Sequence, residues 1–405
     1  MVMKIEGKMK MNYRHIIYAA CFAAVFSCTQ FEENAPQIEE VETVQMTFTA
    51  TISDEPDTKT TLDGTIDDVS RKVLWLPEDD ILIASSVVND ARFVNKVVEE
   101  SATGFFEGGT AIAPVYYAAY PYSGSRYTSM MDQNDSLFVS IPQVQKYKKE
   151  SFGQDTAPMV ATAGYGETLK FKNTYGLLAL SLTGEESIKS ITFSGKDEYG
   201  NLTYISGTFN VSLESLDNPT ISAVGNRAFP SYKSVTLECD EPVQLNPTEG
   251  TQFYFVLPPA TYHGFLLTII TADGKMMMKE ATKPLTITRS NVQGTADLQY
   301  VETVSINLSA EGIANSYIVS ESGLYSFQAN VIGNGEGGII KNAGFHTEDA
   351  SISPVKAELV WSDNDALINN VSYDEAKGRI IFYASGEKGN AVVAARDADN
   401  NIIWS

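Results

Sequence analysis

Val44, Met46, Phe48, Ala50 and Ile52 alternate with Gln45, Thr47, Thr49 and Thr51, the two-residue period of a strand with one buried face. The period returns in short runs closed by turn-forming residues. Leu137, Val139 and Ile141 precede Pro142, and Leu178, Leu180 and Leu182 precede Gly184. Residues 253–257 stop at Pro258-Pro259, and 265–271 stop at Asp273-Gly274, a strong hairpin signal. No long segment carries helical spacing. Such a chain is expected to be all-β, and short, regularly spaced strands favour packed β-sandwiches over a βαβ architecture.

Beyond Ile52 the polar residues 53–59, with Asp54, Glu55, Pro56 and Asp57, cannot continue the strand. Strand-like runs return at 60–62 and 73–76. Pro77-Glu78-Asp79-Asp80 reads as a solvated turn before Ile81-Leu82-Ile83. The 405 residues have room for roughly two to four domains. Texture divides them into a leader (1–27), an acidic tether (28–43), a first β-sandwich (44–165), a second (166–300) and a C-terminal β-module (301–405). The last run, 401–405, reads as a hairpin partner of the strand before it, and either closes the module or marks a truncated one.

The chain has 29 Lys and Arg against 51 Asp and Glu, a formal net charge of −22. Nucleic acid needs a basic footprint to neutralise phosphates, so it is excluded as a partner. Electrostatic docking on anionic lipid is disfavoured for the same reason. The acidity reads as a solvated exterior.

Arg14 and His15 precede an apolar run, 16–26, too short to span a bilayer. Val25-Phe26-Ser27-Cys28 resembles a lipobox, which makes Cys28 the acylated N-terminus of a processed chain anchored in the outer membrane and displayed at the cell surface. The tether that follows carries Glu32, Glu33, Glu39, Glu40 and Glu42 and no Lys or Arg, so it cannot bury enough apolar surface to order itself. Of the three cysteines, Cys21 leaves with the leader, Cys28 carries lipid, and Cys239 is left as a small buried hydrophobe in a strand.

Several loose motifs recur between residues 44 and 292: Met46-Thr47-Phe48-Thr49-Ala50, Thr58-Lys59-Thr60-Thr61-Leu62, Leu74-Trp75 with Asp79-Asp80-Ile81, and the aromatic run 116–122. Ile141-Pro142-Gln143, Phe171-Lys172-Asn173 and Leu257-Pro258-Pro259-Ala260-Thr261-Tyr262 complete the set. Together they resemble the fimbrillin family, including its fimbrillin-like lipoproteins. The resemblance implies two transthyretin-like β-sandwiches in tandem and a lipoprotein precursor assembled into a surface fibre. The segment from Asn307, through residues 314–319, Leu359-Val360-Trp361 and Gly389-Asn390-Ala391-Val392, resembles a separate C-terminal module of related surface proteins.

Assembly of that type removes a first strand by proteolysis and fills the gap with a strand from the next subunit. Val44 to Ile52 suits the removable role. Lys59 and Arg71 are the candidate cut sites, each also readable as an ordinary loop charge. A C-terminal module fits an accessory or tip subunit better than a shaft subunit. Partners would be other fimbrial subunits or a host or bacterial surface ligand.

The chain is read as non-enzymatic, without cofactor or metal site. It has no Gly-x-Ser-x-Gly, no His-Glu-x-x-His and no paired cysteines at zinc spacing. Its three histidines are His15, His263 and His346. The glycine-rich residues 333–338 lack the Lys-Ser/Thr end of a phosphate loop. Asp397-Ala398-Asp399-Asn400 reads as a hairpin turn rather than a calcium loop. The alternative function is a surface glycan-binding lipoprotein that does not polymerise, with Trp75, Trp361, Tyr116 and Tyr120 as candidate sugar platforms.

Overall fold

A computed structural model describes residues 42–52, 74–128, 136–212, 216–333, 351–364, 367–385 and 387–405. Cys28, Lys59 and Arg71 lie outside them, as do the leader, His346 and most of the glycine-rich loop. The described residues form strands and no helix, so no helix among them is long and apolar enough to cross a membrane. The expected all-β class is what the chain adopts.

The first part contains β1 (Val44–Ile52), β2 (Asp80–Ala84), β3 (Ala91–Asn95), β4 (Thr103–Thr110), β5 (Val115–Tyr120), β6 (Arg126–Thr128), β7 (Ser136–Ile141), β8 (Val144–Lys148), β9 (Ser151–Phe152), β10 (Met159–Gly164) and β11 (Leu169–Asn173). Seven of these close into a ring in the order β1-β11-β10-β5-β2-β3-β4. The expected sandwich is therefore a sheet closed on itself, an arrangement that removes open edges. Every pairing in the ring is antiparallel except β1 with β11.

Aromatic side chains fill the ring. Trp75 is fully buried in its core, edge-on to Phe106 at 4.9 Å, Phe171 at 5.2 Å and Tyr120 at 5.6 Å, the T-shaped geometry aromatic pairs prefer. Its own segment makes one bridge, Trp75 to Ser101, instead of the expected strand. Gly104 leaves room for this packing, because a Cβ there would fall 2.5 Å from Phe106 and 3.1 Å from Trp75.

The middle of the chain supplies β12 (Gly176–Thr183), β13 (Ser187–Lys196), β14 (Ser206–Val211), β15 (Ile221–Ala223), β16 (Ser231–Tyr232), β17 (Val235–Gln244), β18 (Thr251–Leu257), β19 (Ala260–Tyr262), β20 (Gly264–Thr271), β21 (Met276–Ala281), β22 (Leu285–Ile287), β23 (Val292–Gly294) and β24 (Leu298–Gln299). A sheet of β18-β12-β23, with β24 also on β12, packs on the sheet β21-β20-β13-β17-β8-β9. Leu178, Leu180 and Leu182 meet Ile191, Phe193 and Leu267 between them, a face-to-face sandwich. The Asp273-Gly274 hairpin forms as expected, joining β20 to β21 with Gly274 at φ 81°. Cys239 is buried in this core, as expected, and burial pushes its thiol up to about 11.

The two cores are not separate beads. Leu177 and Ala179 of β12, with Tyr254 and Val256 of β18, face the ring's core, while the alternate residues face the sandwich. One sheet is thus covered on both faces, a condition that normally produces near-continuous apolar runs. Buried Gln145 of β8 bonds both backbone groups of Val256, donating to its carbonyl at 2.8 Å and accepting from its N–H at 2.9 Å. A further sheet, β15-β14-β7-β6, joins strands far apart in sequence and adds Leu137, Val139, Phe209 and Val211 to the ring's core.

The remainder folds as β25 (Ile306–Asn307), β26 (Gly323–Gln328), β27 (Lys356–Ser362), β28 (Ile368–Asp374), β29 (Arg379–Ala384), β30 (Ala391–Arg396) and β31 (Ile402–Trp404). These make two sheets, β25-β26-β29-β28 and β27-β30-β31. The terminal hairpin of β30 and β31 forms as expected. In its turn Asp397 accepts from the backbone and side-chain nitrogens of Asn401 at 2.8 and 3.1 Å. Leu324 and Tyr383 pack on Leu266 and Met276 of the sandwich.

Candidate functional site

The ring meets itself at β1. Eight residues pair antiparallel with β4, from Val44 opposite Thr110 to Thr51 opposite Thr103. On the other flank three residues pair parallel with β11: Ala50, Thr51 and Ile52 opposite Leu169, Lys170 and Phe171. The strand is therefore held along eight of its nine residues on one side and only at its C-terminal end on the other. Its inward residues plug the core. Phe48 is edge-on to Phe93 at 5.3 Å and to Tyr116 at 5.0 Å, Ala50 is fully buried, and Met46 packs against the same cluster. The outward residues Gln45 and Thr47 are exposed. One strand can do two things here: complete two ladders with its backbone and fill apolar sockets with alternate side chains.

A second constellation gathers around buried Asp79 and Tyr120, with the exposed Gln154 and Asp155 against them, and was not legible as a site. Asp79, expected in a solvated turn, is instead buried. Its Oδ2 accepts from the Leu76 N–H at 2.7 Å, and its Oδ1 accepts from Tyr120 at 3.2 Å and from Gln154 at 3.3 Å. Tyr120 also stands 3.2 Å from Asp155. Burial pushes the Asp79 carboxyl up to about 7, against the lowering effect of the Leu76 and Tyr120 hydrogen bonds. Burial raises Asp155 as well. Asp80, the next residue, turns the opposite way, as expected of neighbours in a strand, and pairs with Arg92 at the surface at 2.6 Å. The cluster can hold a proton between the turn before β2, the end of β5 and the loop before β10. Among the described residues no group of three or more His, Cys, Asp or Glu is arranged to bind a metal ion.

The aromatic candidates separate cleanly. Trp75, Tyr116 and Tyr120 are fully buried core residues, so none is a sugar platform. Trp361 alone of the four is open, 52% exposed on β27 opposite Val392.

No family model matches the chain, and no curated protein does. Solved structures do. A candidate cell adhesion protein from Bacteroides uniformis is similar at 14% identity over 63% of this chain and 94% of its own, with a TM-score of 0.35. Another from Bacteroides fragilis is also 14% identical, over 64% of this chain and 92% of its own, at 0.29. A fimbrial protein from Bacteroides ovatus is 10% identical over 63% of this chain and 50% of its own, at 0.27. At these identities and scores, none of them fixes what this chain does.

Proposed function

We propose that this chain is a non-enzymatic cell-surface protein with an adhesive or fimbrial role, anchored through acylated Cys28, in which β1 is an exchangeable strand. The observation that carries the reading is the pairing of β1: eight register pairs on one flank and three on the other close a ring around an aromatic core. The strand precedes every other described strand. Its loss leaves the rest of the ring continuous, with one gap between β4 and β11. That gap offers unpaired backbone on β4 and vacant sockets for Phe48 and Ala50, the two requirements for strand addition from another subunit. A cut after Lys59 or Arg71 would free the strand. The second flank already bonds β1 at Ala50–Ile52, so exchange requires release of the strand and cannot proceed by addition to a free edge.

N-terminal sequencing of material sheared from the cell surface tests this reading. A start beyond Ile52 is expected. An acylated Cys28 on every copy overturns exchange and leaves a permanently tethered protein.

A further inference from the structure

A half-open cavity of about 530 Å³ lies where the turn before β3, the turn and strand around β6, and the loop before β16 converge. Its walls include two partly exposed aromatic rings, Tyr122 and Phe229, the buried Tyr127, and three exposed polar side chains, Asn89, Asp90 and Arg126. From this geometry we infer that the cavity is a binding site for a short neutral oligosaccharide. The inference is independent of strand exchange and holds whether or not β1 is released.

Both rings are held before any ligand arrives. The Tyr122 backbone N–H donates to the Asp80 carbonyl at 3.0 Å, and the Arg92 guanidinium sits 5.7 Å from the Tyr122 ring centroid. The turn after Tyr122 is closed by Ser125, whose hydroxyl donates to the Pro121 carbonyl at 2.6 Å. Gly124 in that turn has φ 91°, and a Cβ there would stand 2.9 Å from Ser140. Phe229 stacks on Phe138 at 4.8 Å with planes 9° apart. Its loop is bonded to itself, with Asn226 Oδ1 accepting from the N–H groups of Ala228 and Phe229 at 2.9 Å each. Rings fixed in this way lose little entropy on binding.

The chemistry of the wall selects the ligand. The volume lies in the range of small-molecule sites. Ring faces suit the apolar C–H face of a pyranose, and a carboxylate, an amide and a guanidinium supply acceptors and donors for its hydroxyls. Asp90 and Arg126 contribute one charge of each sign, so neither an anion nor a cation is favoured locally. The net charge of −22 disfavours acidic polymers over longer range.

The test is titration of the full chain with maltohexaose, cellohexaose and mannohexaose, followed by calorimetry and saturation-transfer NMR, with trigalacturonic acid as the acidic counterpart. At least one neutral hexamer is expected to bind. Arg126→Ala and Asn89→Ala, both exposed and outside the core, are expected to weaken it roughly tenfold with an unchanged melting temperature. Phe229→Ala is expected to abolish saturation transfer. Tyr199→Ala, at a ring 81% exposed elsewhere, is expected to leave binding unchanged. Absence of binding by all three neutral hexamers at millimolar concentration overturns the inference. So does binding only of the acidic sugar, or binding that survives both Arg126→Ala and Asn89→Ala.

Discussion

The hydroxyl of Tyr120 stands 3.2 Å from Oδ1 of Asp79, and at the same distance from Oδ1 of Asp155. A phenol has one hydrogen to donate. The second contact is satisfied when one carboxyl is protonated and donates a hydrogen bond to the phenol oxygen. Burial raises both carboxyls in the direction that this sharing requires. A proton held below about pH 7 therefore ties the turn before β2, the end of β5 and the loop before β10 together.

That proton makes the fold pH-sensitive in a defined direction. Asp79 titrates near 7 when folded and at 3.8 in its ordinary state, so between these values the folded chain holds a proton that the unfolded chain has released. The stability this contributes is complete below 3.8 and is lost as pH rises through about 7. Asp79→Asn mimics the protonated acid, placing an amide donor on the phenol. Urea titrations across this window are expected to show a wild-type midpoint falling with pH, relative to a flatter Asp79→Asn profile. Parallel profiles would disprove the retained proton.

The seam residue Phe48 gives a second expectation. It packs edge-on against Phe93 and Tyr116 in the ring's core, so Phe48→Ala removes both contacts and leaves a cavity. A loss of about 3–5 kcal/mol is expected in chemical denaturation. Thr47→Ala, at an exposed position of the same strand, is expected to fall within about 0.5 kcal/mol of wild type.

At Gly104 the expectation is steric. An added methyl meets the Phe106 ring at 2.5 Å and Trp75 at 3.1 Å, and ring closure leaves β4 paired on both sides. Gly104→Ala is expected to cost about 1–3 kcal/mol and to shift the fluorescence of Trp75.

Cys239 offers a chemical readout of the second core. Burial raises its thiol to about 11, so the thiolate that reacts with maleimide is scarce at neutral pH. Peptide mass mapping is expected to find Cys239 unmodified in native protein and labelled in step with unfolding. Rapid native labelling would contradict the buried placement.

Much of this architecture was legible from local pattern. Alternation in β1 and β7, the Asp273-Gly274 turn and the terminal hairpin follow from two-residue periodicity and turn chemistry, which act between neighbours in the chain. Periodicity says which residues share a face; it does not say what covers that face. The Leu178-Leu180-Leu182 stripe announced one buried side of β12, yet Leu177 and Ala179 on the other side meet a second core. Pro77-Glu78-Asp79-Asp80 has the composition of a solvated turn. Tyr120, 41 positions along, and Gln154, beyond β9, bond Asp79, and it is an interior group.

Tertiary structure alone decided the closure of the ring, because it depends on Ala50–Ile52 meeting Leu169–Phe171 in a parallel ladder. No local signal encodes that pairing. It depends on the aromatic core that β1 covers, where Phe48 and Ala50 pack in one cluster with Trp75.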